Sequence, residues 1–359
     1  MLHAVIMAGG SGTRFWPQSR RNLPKQFLKM TGDQTLIQQA ASRCQPSIPQ
    51  ERTWIVTGAA HAVETARQLP MIPTSQILVE PCGRNTAPCI GLAAIQMLAS
   101  DPDAIMLVMP ADHVISPNSK FQEAVAEAVR LIEIDPAVLV LFGIEPQYPS
   151  TGFGYIQRGT PIASKSCATY RVASFREKPN LTTASQFMAS GEFYWNCGIF
   201  VWRAQTILDA LKEFSPETVA CLDRIQPGIG SDRWQEILEV EFPKMPSISI
   251  DYAVLEKASQ RVAVLKAPFE WDDVGSWQAL PRLFPQDQAG NTVNGLCCPV
   301  ETQGCIVRTT DDHLIATIGV ENLIIVHTPT ATLVADKRDE GALKKLIAEL
   351  EKQGLTSYL

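Results

Sequence analysis

The sequence contains no apolar run approaching the about 18 residues that cross a bilayer. Its first apolar stretch, Leu2 to Ala8, stops at Gly9-Gly10 and runs on to Arg14. It lacks the basic start and long apolar centre of a secretory signal, and reads as a first strand. The nine cysteines show no C-x-x-C spacing, and Cys297-Cys298 is their one adjacent pair. That argues against a disulfide framework and for the reduced thiols of a cytoplasmic protein. The five histidines add no zinc spacing. An excess of basic residues is also missing: 37 acids against 31 bases give a net charge of -6, which disfavours a nucleic-acid binder built on phosphate neutralisation. Hydrophobic residues make up 45% and charged residues 19%, which excludes disorder, collagen and coiled coil. At roughly 150 residues per domain, 359 residues imply two domains, or one large α/β domain with an appendage.

The first half alternates strand and helix patterns. Apolar runs at Ala4–Met7, 53–57, 77–79, 105–109 and 138–142 read as strands. Between them, Leu36, Ile37, Ala40, Ala41 and Cys44 recur at helical spacing, as do Ile90, Ala93, Ala94, Met97 and Leu98, and Phe121, Ala124, Val125, Ala128, Val129 and Ile132. Strands apolar on both faces and separated by helices imply a mostly parallel sheet covered on both sides. Ligands of such sheets sit beyond the carboxyl ends of the strands. Gly9-Gly10, Glu80 and Asp112 all fall at or just past a strand's end. The middle, about 149–283, is less regular and holds Trp195, Trp202, Trp234, Trp271 and Trp277, which either wall a substrate pocket or pack between sheet and helices. Composition shifts at Phe284-Pro285. Short β-branched runs at 304–309, 314–318, 322–327 and 331–336 then recur every nine or ten residues without intervening helix, as in a small β-solenoid. Leu343, Leu346, Ile347 and Leu350 mark a closing helix.

The strongest chemical signal is Gly9-Gly10-Ser11-Gly12-Thr13-Arg14, directly after the first strand. Three glycines let backbone N–H groups close on anionic oxygens, and Arg14 adds a planar cationic fork suited to phosphate. Pro24-Lys25-Gln26 supplies a second cation. The loop is neither G-x-G-x-x-G nor a Walker pattern, because no Lys-Ser/Thr follows its last glycine. Asp112, after a buried strand and a proline, is placed either to hold Mg²⁺ or to form a turn. In Trp271-Asp272-Asp273-Val274-Gly275-Ser276, adjacent acids point to opposite sides, so one of the two would face a metal. Phe175-Arg176-Glu177-Lys178-Pro179 offers an acceptor for sugar hydroxyls and a cation for a sugar phosphate, or is a solvated turn. Trp195-Asn196-Cys197-Gly198 and Gly152-Phe153-Gly154-Tyr155 suit close backbone approach with a polar handle. No Ser-His-Asp arrangement or nucleophilic cysteine is evident, and His113 either orients Asp112 or is structural.

Ala8-Gly9-Gly10-Ser11-Gly12-Thr13-Arg14 with Pro24-Lys25-Gln26-Phe27 resembles the signature of sugar-1-phosphate nucleotidylyltransferases. Glu80-Pro81-Cys82-Gly83-Arg84-Asn85-Thr86-Ala87-Pro88, Pro110-Ala111-Asp112-His113, Phe175 to Pro179, Trp195 to Gly198 and Trp271 to Trp277 narrow the resemblance to the bacterial mannose-1-phosphate guanylyltransferases. It implies a Rossmann-like, mixed but mostly parallel α/β domain over 1–284 and a short left-handed β-helix with a C-terminal helix over 285–359. The implied reaction takes GTP and mannose 1-phosphate to GDP-mannose and pyrophosphate with Mg²⁺. By the family pattern Ala8, Gly9, Gly10, Ser11, Gly12 and Thr13 line the nucleotide, while Arg14, Lys25 and Asp112 are catalytic. Glu80, Asn85 and Thr86 contact guanine or ribose, and Asp112 and Asp273 hold the metal. Gly154, Glu177 and Asn196 bind mannose, and Lys178 its phosphate. Many relatives carry an isomerase domain after the β-helix; this chain ends at Leu359, so no isomerase activity is expected. A homodimer covering the exposed solenoid edges is expected as well. The competing readings are a nucleotidylyltransferase for another sugar or base, a non-catalytic paralogue, and a metal-dependent glycosyltransferase. The last is disfavoured because Asp101-Pro102-Asp103 precedes its strand, and the paralogue because Arg14, Lys25, Asp112 and Asp273 are all present.

Overall fold

The computed structural model describes every residue of the chain except 11 and 340. The chain folds into two compact units that do not follow its linear order. The first comprises Met1–Gly9, Gln38–Ala111 and Ile115–Trp271; the second comprises Gly10–Ile37, Asp112–Val114 and Asp272–Leu359.

The strands up to Trp271 are β1 (Leu2–Met7), β2 (Thr53–Gly58), β3 (Ile77–Glu80), β4 (Ile105–Pro110), β5 (Val114–Ser116), β6 (Leu139–Ile144), β7 (Tyr155–Ile162), β8 (Thr169–Arg176), β9 (Phe193–Arg203), β10 (Val262–Lys266) and β11 (Glu270–Asp272). Nine of them form the sheet of the first unit, in the order β3-β2-β1-β4-β9-β6-β10-β8-β7. The run β3-β2-β1-β4 is parallel, with Val5 level with Trp54 on one side and Val108 on the other. These strands are apolar on both faces because both are covered. Met106, Val108, Leu139 and Leu141 pack with Ile90, Ala93, Ala94 and Met97 of the helix Thr86–Leu98. The alternate residue Phe142 meets Phe121, at the start of the helix Asn118–Ile134, and Phe269. The two sides follow from the two-residue period of a strand.

The sheet is mixed because β9 lies between β4 and β6, antiparallel to both. Trp202 is fully buried on it and Trp195 nearly so, which makes them packing residues. The carboxyl ends of β1, β3 and β4 lie at one end of the sheet, where Ala8-Gly9, Glu80 and Ala111 emerge.

In the second unit, β12 (Thr292–Asn294), β14 (Ile306–Thr309) and β16 (Leu323–Thr328) stack in parallel, with Thr292 level with Ile306 and Ile306 level with Ile324. β13 (Cys297–Val300) and β15 (Ile315–Ile318) form a second parallel ladder. The repeated coil makes a β-helix-like domain, on which β17 (Ala331–Asp336) closes as an antiparallel hairpin with β16. Its core is not made by the tail alone. Phe15, Trp16, Leu28, Met30 and Leu36 pack with Trp277, Ile306, Ile324, Val326 and Leu333, and Leu343, Leu346, Ile347 and Leu350 of the helix Ala342–Lys352 lie against them.

Candidate active site

At the end of β1, Ala8 is still held by the sheet. Its N–H donates to the Val56 carbonyl at 2.8 Å, and its carbonyl accepts from the Thr57 hydroxyl at 3.2 Å. Beyond it, the side-chain face of Gly9 opens on free space. Within the second unit the same loop turns through Gly12 at φ 46°, and a Cβ there would lie 2.6 Å from the Lys25 backbone nitrogen. No side chain fits that approach, so the glycine loop and the Pro24-Lys25 turn are packed backbone to backbone. Thr13–Phe15 is a short 3-10 turn that sends Phe15 into the core and leaves Arg14 exposed. Among the described residues Arg14 has no side-chain partner. With Thr13, Gly275, Ser276 and Gln278 it lines a cavity of about 400 Å³ inside the second unit. Ser11, expected as a nucleotide contact, lies outside the described residues.

Lys25, Asp112 and Asp273 come together in the second unit although 248 residues separate the first from the last. The buried Lys25 ammonium donates to Asp112 Oδ2 at 2.9 Å and to the Asp273 carbonyl. Burial pushes the Asp112 carboxyl upward, but the charge of Lys25, the His113 ring and the Lys25 hydrogen bond outweigh it and hold it below the ordinary value. Asp273 goes the other way. Burial raises it, the nearby acids Asp272 and Asp112 raise it further, and Lys25 only partly compensates. Its carboxylate has no hydrogen-bond partner among the described residues.

The adjacent acids Asp272 and Asp273 differ in their partners. Asp272 accepts from Arg282 Nε at 2.5 Å and Nη2 at 3.1 Å, and from the Val274 N–H at 2.7 Å, so its oxygens are engaged in holding the turn. Val274, fully buried, sits at φ 45°, a left-handed conformation costly for a β-branched residue. That turn aims the Asp273 carbonyl at Lys25. The donor set fits a hard cation such as Mg²⁺. Two carboxylates with surplus negative charge are present, and no group of three metal-ligating side chains occurs among the described residues, so phosphate and water would complete the shell.

The remaining expected contacts lie in the first unit. Glu80 ends β3 with its side chain buried, and its Oε1 has no hydrogen-bond partner among the described residues. Burial pushes its carboxyl up to about 7, against a hydrogen bond from the Cys89 thiol. Asn85, at φ 67°, caps the following helix by accepting from the Thr86 N–H at 2.9 Å. The Thr86 hydroxyl accepts from the Ile250 N–H at 2.8 Å. Both residues therefore have structural partners at the positions where nucleotide contacts were expected.

Gly154, Glu177, Lys178 and Asn196 form a second group in that unit. The Asn196 N–H donates to the Gly154 carbonyl at 2.8 Å. Glu177 Oε1 meets the Lys178 ammonium at 3.0 Å, while Oε2 is buried with no hydrogen-bond partner among the described residues. A Cβ at position 154 would collide with that Oε2, so only glycine lets the carboxylate lie against the backbone there. One residue the sequence pattern does not single out belongs here. Asp251, the first residue of a π-helical turn over Asp251–Leu255, accepts from Asn196 Nδ2 at 2.8 Å. Burial, then the charge of Glu177, raises its carboxyl to about 6. The available signal was a carboxylate amid the apolar run from Ile248 to Leu255.

The nucleotidyl transferase family model matches residues 3–290, and a mannose-phosphate isomerase/GMP-like β-helix domain model matches residues 295–350. The mannose-1-phosphate guanylyltransferase of Escherichia coli is 38% identical over 361 residues, spanning 100% of this chain and 76% of that protein. The alginate biosynthesis protein AlgA of Pseudomonas syringae pv. tomato is 37% identical, covering 98% of this chain and 72% of its own length. A crystal structure described as mannose-1-phosphate geranyltransferase from Thermus thermophilus superposes with a TM-score of 0.86 at 32% identity, covering 98% of this chain and 99% of that one.

Proposed function

This chain belongs to the nucleotidyl transferase family, among the mannose-1-phosphate guanylyltransferases, and from that membership we infer that it transfers GMP from GTP to mannose 1-phosphate, giving GDP-mannose and pyrophosphate. The observation that best supports the site reading is the Lys25 ammonium bound to both Asp112 and the Asp273 carbonyl, beside the turn of Gly12.

Mannose 1-phosphate is already an anionic nucleophile at neutral pH, so the reaction needs no general base. The difficulty lies in bringing two anions together and stabilising the leaving pyrophosphate. The N–H groups of the Gly9-to-Thr13 loop and the exposed Arg14 meet the triphosphate, and Lys25 neutralises charge developing between the α-phosphate and pyrophosphate. Asp112 and Asp273 would hold Mg²⁺, which when bound supplies further neutralisation of the triphosphate. Glu80 reads the base: an ionised carboxylate accepts from both the N1–H and the exocyclic amine of guanine, a donor pair that adenine lacks. Gly154, Glu177 and Asn196 hold the mannose hydroxyls, and Lys178 meets the sugar phosphate. The displacement is in line, with inversion at the α-phosphorus and no covalent enzyme intermediate. All nine cysteines are free, in keeping with residence in the cytoplasm, and the exposed Leu296, Val300, Leu314 and Ile318 around the β13/β15 ladder favour a homodimer. No helix among the described residues is long and apolar enough to cross a membrane.

A pyrophosphate-release assay over a grid of GTP, ATP, UTP and dTTP with mannose or glucose 1-phosphate tests this function. Turnover should be highest for GTP with mannose 1-phosphate and should stop on chelation of divalent cations. A different preferred pair, or a nucleotidylated enzyme, would displace it.

A further inference from the structure

Within the second unit, the segment that follows Arg14 forms one wall of a cleft of about 570 Å³. Residues between Pro17 and Gly32 line that wall, and Asn294, Thr310 and Thr330, at the carboxyl ends of the stacked strands β12, β14 and β16, line the other. Three cations, Arg20, Lys29 and Arg308, face into the cleft, and no carboxylate lines it. None of the three makes an ion pair among the described residues, in a chain whose net charge is -6. Arg20 donates to the Tyr358 carbonyl at 2.5 Å and to the Thr330 hydroxyl at 2.9 Å. Arg308, only 4% exposed, donates to the carbonyls of Lys29 at 2.5 Å and Met30 at 3.4 Å. Those acceptors hold the two guanidinium groups in place but carry no charge. Burial pulls Arg308 down to about 10, and the Trp277 ring, 6.0 Å away, compensates its charge only in part. A cation taken out of water without a counter-ion is costly, and an anion in the cleft removes that cost.

We propose that this cleft is a second binding site, for a phosphate group that is either free or carried as a monoester on a small metabolite, with Arg20, Lys29 and Arg308 around the phosphate. Guanidinium forks match phosphate oxygens two at a time, and the ammonium adds a point charge. The site is concave and of small-molecule size, whereas an extended nucleic acid needs a broad basic face that this acidic chain does not offer. The occupant has a route to the reaction. Arg20 and Lys29 flank Lys25 in the chain, and Lys25 holds Asp112 and the Asp273 carbonyl. An anion that fixes Arg20 and Lys29 therefore fixes both sides of the segment that presents Lys25. The assignment does not depend on which base or sugar the enzyme takes.

The test titrates the full chain with inorganic phosphate and with glucose 6-phosphate, using glucose and sodium chloride as controls, and reads binding heat and thermal midpoint. At least one phosphate probe should bind saturably and raise the midpoint, in the parent and equally in Arg14→Ala, which lacks an active-site cation. Lys29→Glu and Thr310→Glu each put a carboxylate into the cleft from an exposed position, so the midpoint without ligand should stay as in the parent. Each should weaken the binding by roughly tenfold or more. Equal affinity for the two probes identifies free phosphate as the ligand; tighter binding of glucose 6-phosphate identifies a phosphorylated metabolite whose body is held by the cleft. Absence of saturable binding by both probes overturns the proposal. So does binding that disappears in Arg14→Ala and survives in both cleft variants, because the anion then sits in the active site. If one cleft variant melts early, the other reads the same quantities. Saturating probe should also change kcat in the parent by about twofold or more and leave Lys29→Glu unmoved; binding without that difference would keep the site and overturn its action on Lys25.

Discussion

The side chains that carry the chemistry differ from their neighbours in what they lack as much as in what they touch. Asp272 and Asp273 are adjacent and chemically identical, yet Asp272 has Arg282 and the Val274 N–H, while the Asp273 carboxylate has no hydrogen-bond partner among the described residues. The two acids should separate cleanly on substitution. Asp272→Asn loses charge-assisted hydrogen bonds and should destabilise by about 1–3 kcal/mol, seen as a lower urea midpoint. Asp273→Asn removes surplus negative charge and should leave the midpoint unchanged or raised, while kcat falls at least a hundredfold and the Mg²⁺ needed for half-maximal rate increases. Equal loss of stability in both would contradict this division of labour. Lys25→Ala should cut kcat by roughly 10²–10³, the scale of a lost transition-state donor. Arg14→Ala should do the same without loss of stability, since Arg14 is exposed and makes no side-chain bond among the described residues. Turnover close to the parent's in both variants would reject the assigned roles.

At the scale of elements, the turn after the glycine loop depends on the β-helix-like tail. Phe15, one residue after Arg14, packs edge-on against Trp277 with ring centroids 4.9 Å apart, and the Trp277 indole N–H donates to the Trp16 carbonyl at 3.1 Å. The buried Arg308 of β14 donates to the carbonyls of Lys29 and Met30. Trp277→Phe keeps most of the apolar contact but leaves the Trp16 carbonyl unpaired, at a cost of about 1–3 kcal/mol. It should lower the thermal midpoint and kcat together while leaving discrimination between GTP and ATP intact, because base reading is assigned to Glu80 and not to this loop; a variant with a lowered midpoint and an unchanged kcat would show that the loop does not need it. None of this coupling was legible in the sequence. The strands β1 to β4 and β14 to β17 could be read because each is a short apolar or β-branched run bounded by turn residues. β9 could not, since Asn196-Cys197-Gly198 interrupts its apolar run at the point where it carries a candidate site residue. The glycine loop, Lys25, Asp112 and Asp273 were legible as motifs, whereas Asp251 was not. Its meaning comes from a hydrogen bond to a residue 55 positions away, and local pattern contains no such information.

For the molecule as a whole, a net stability of about 5–15 kcal/mol makes a single buried acid matter. Glu80 has an ordinary value of 4.5 and is raised by burial to about 7 in the folded chain. Below pH 4.5 it is protonated whether folded or not. Between 4.5 and 7 the unfolded chain ionises while the folded one keeps its proton, so stability present at low pH is lost as pH rises. The full loss is on the order of 3 kcal/mol as an upper bound, at about 1.4 kcal/mol per unit. Under the proposed reading of Glu80, guanine reverses the preference, because its two N–H donors require the ionised carboxylate. Ligand stabilisation follows mass action, so tighter binding of GTP at higher pH appears as a larger rise in melting temperature. GTP should therefore raise the midpoint more at pH 8 than at pH 6 in the parent protein. Glu80→Gln, which cannot ionise, should lose that extra rise and be more stable than the parent at pH 8 without nucleotide. The γ-phosphate of GTP also titrates in this range, but it does so equally for both proteins, so the comparison between them isolates Glu80. If the nucleotide-induced shift depends on pH identically in parent and variant, Glu80 does not read the base.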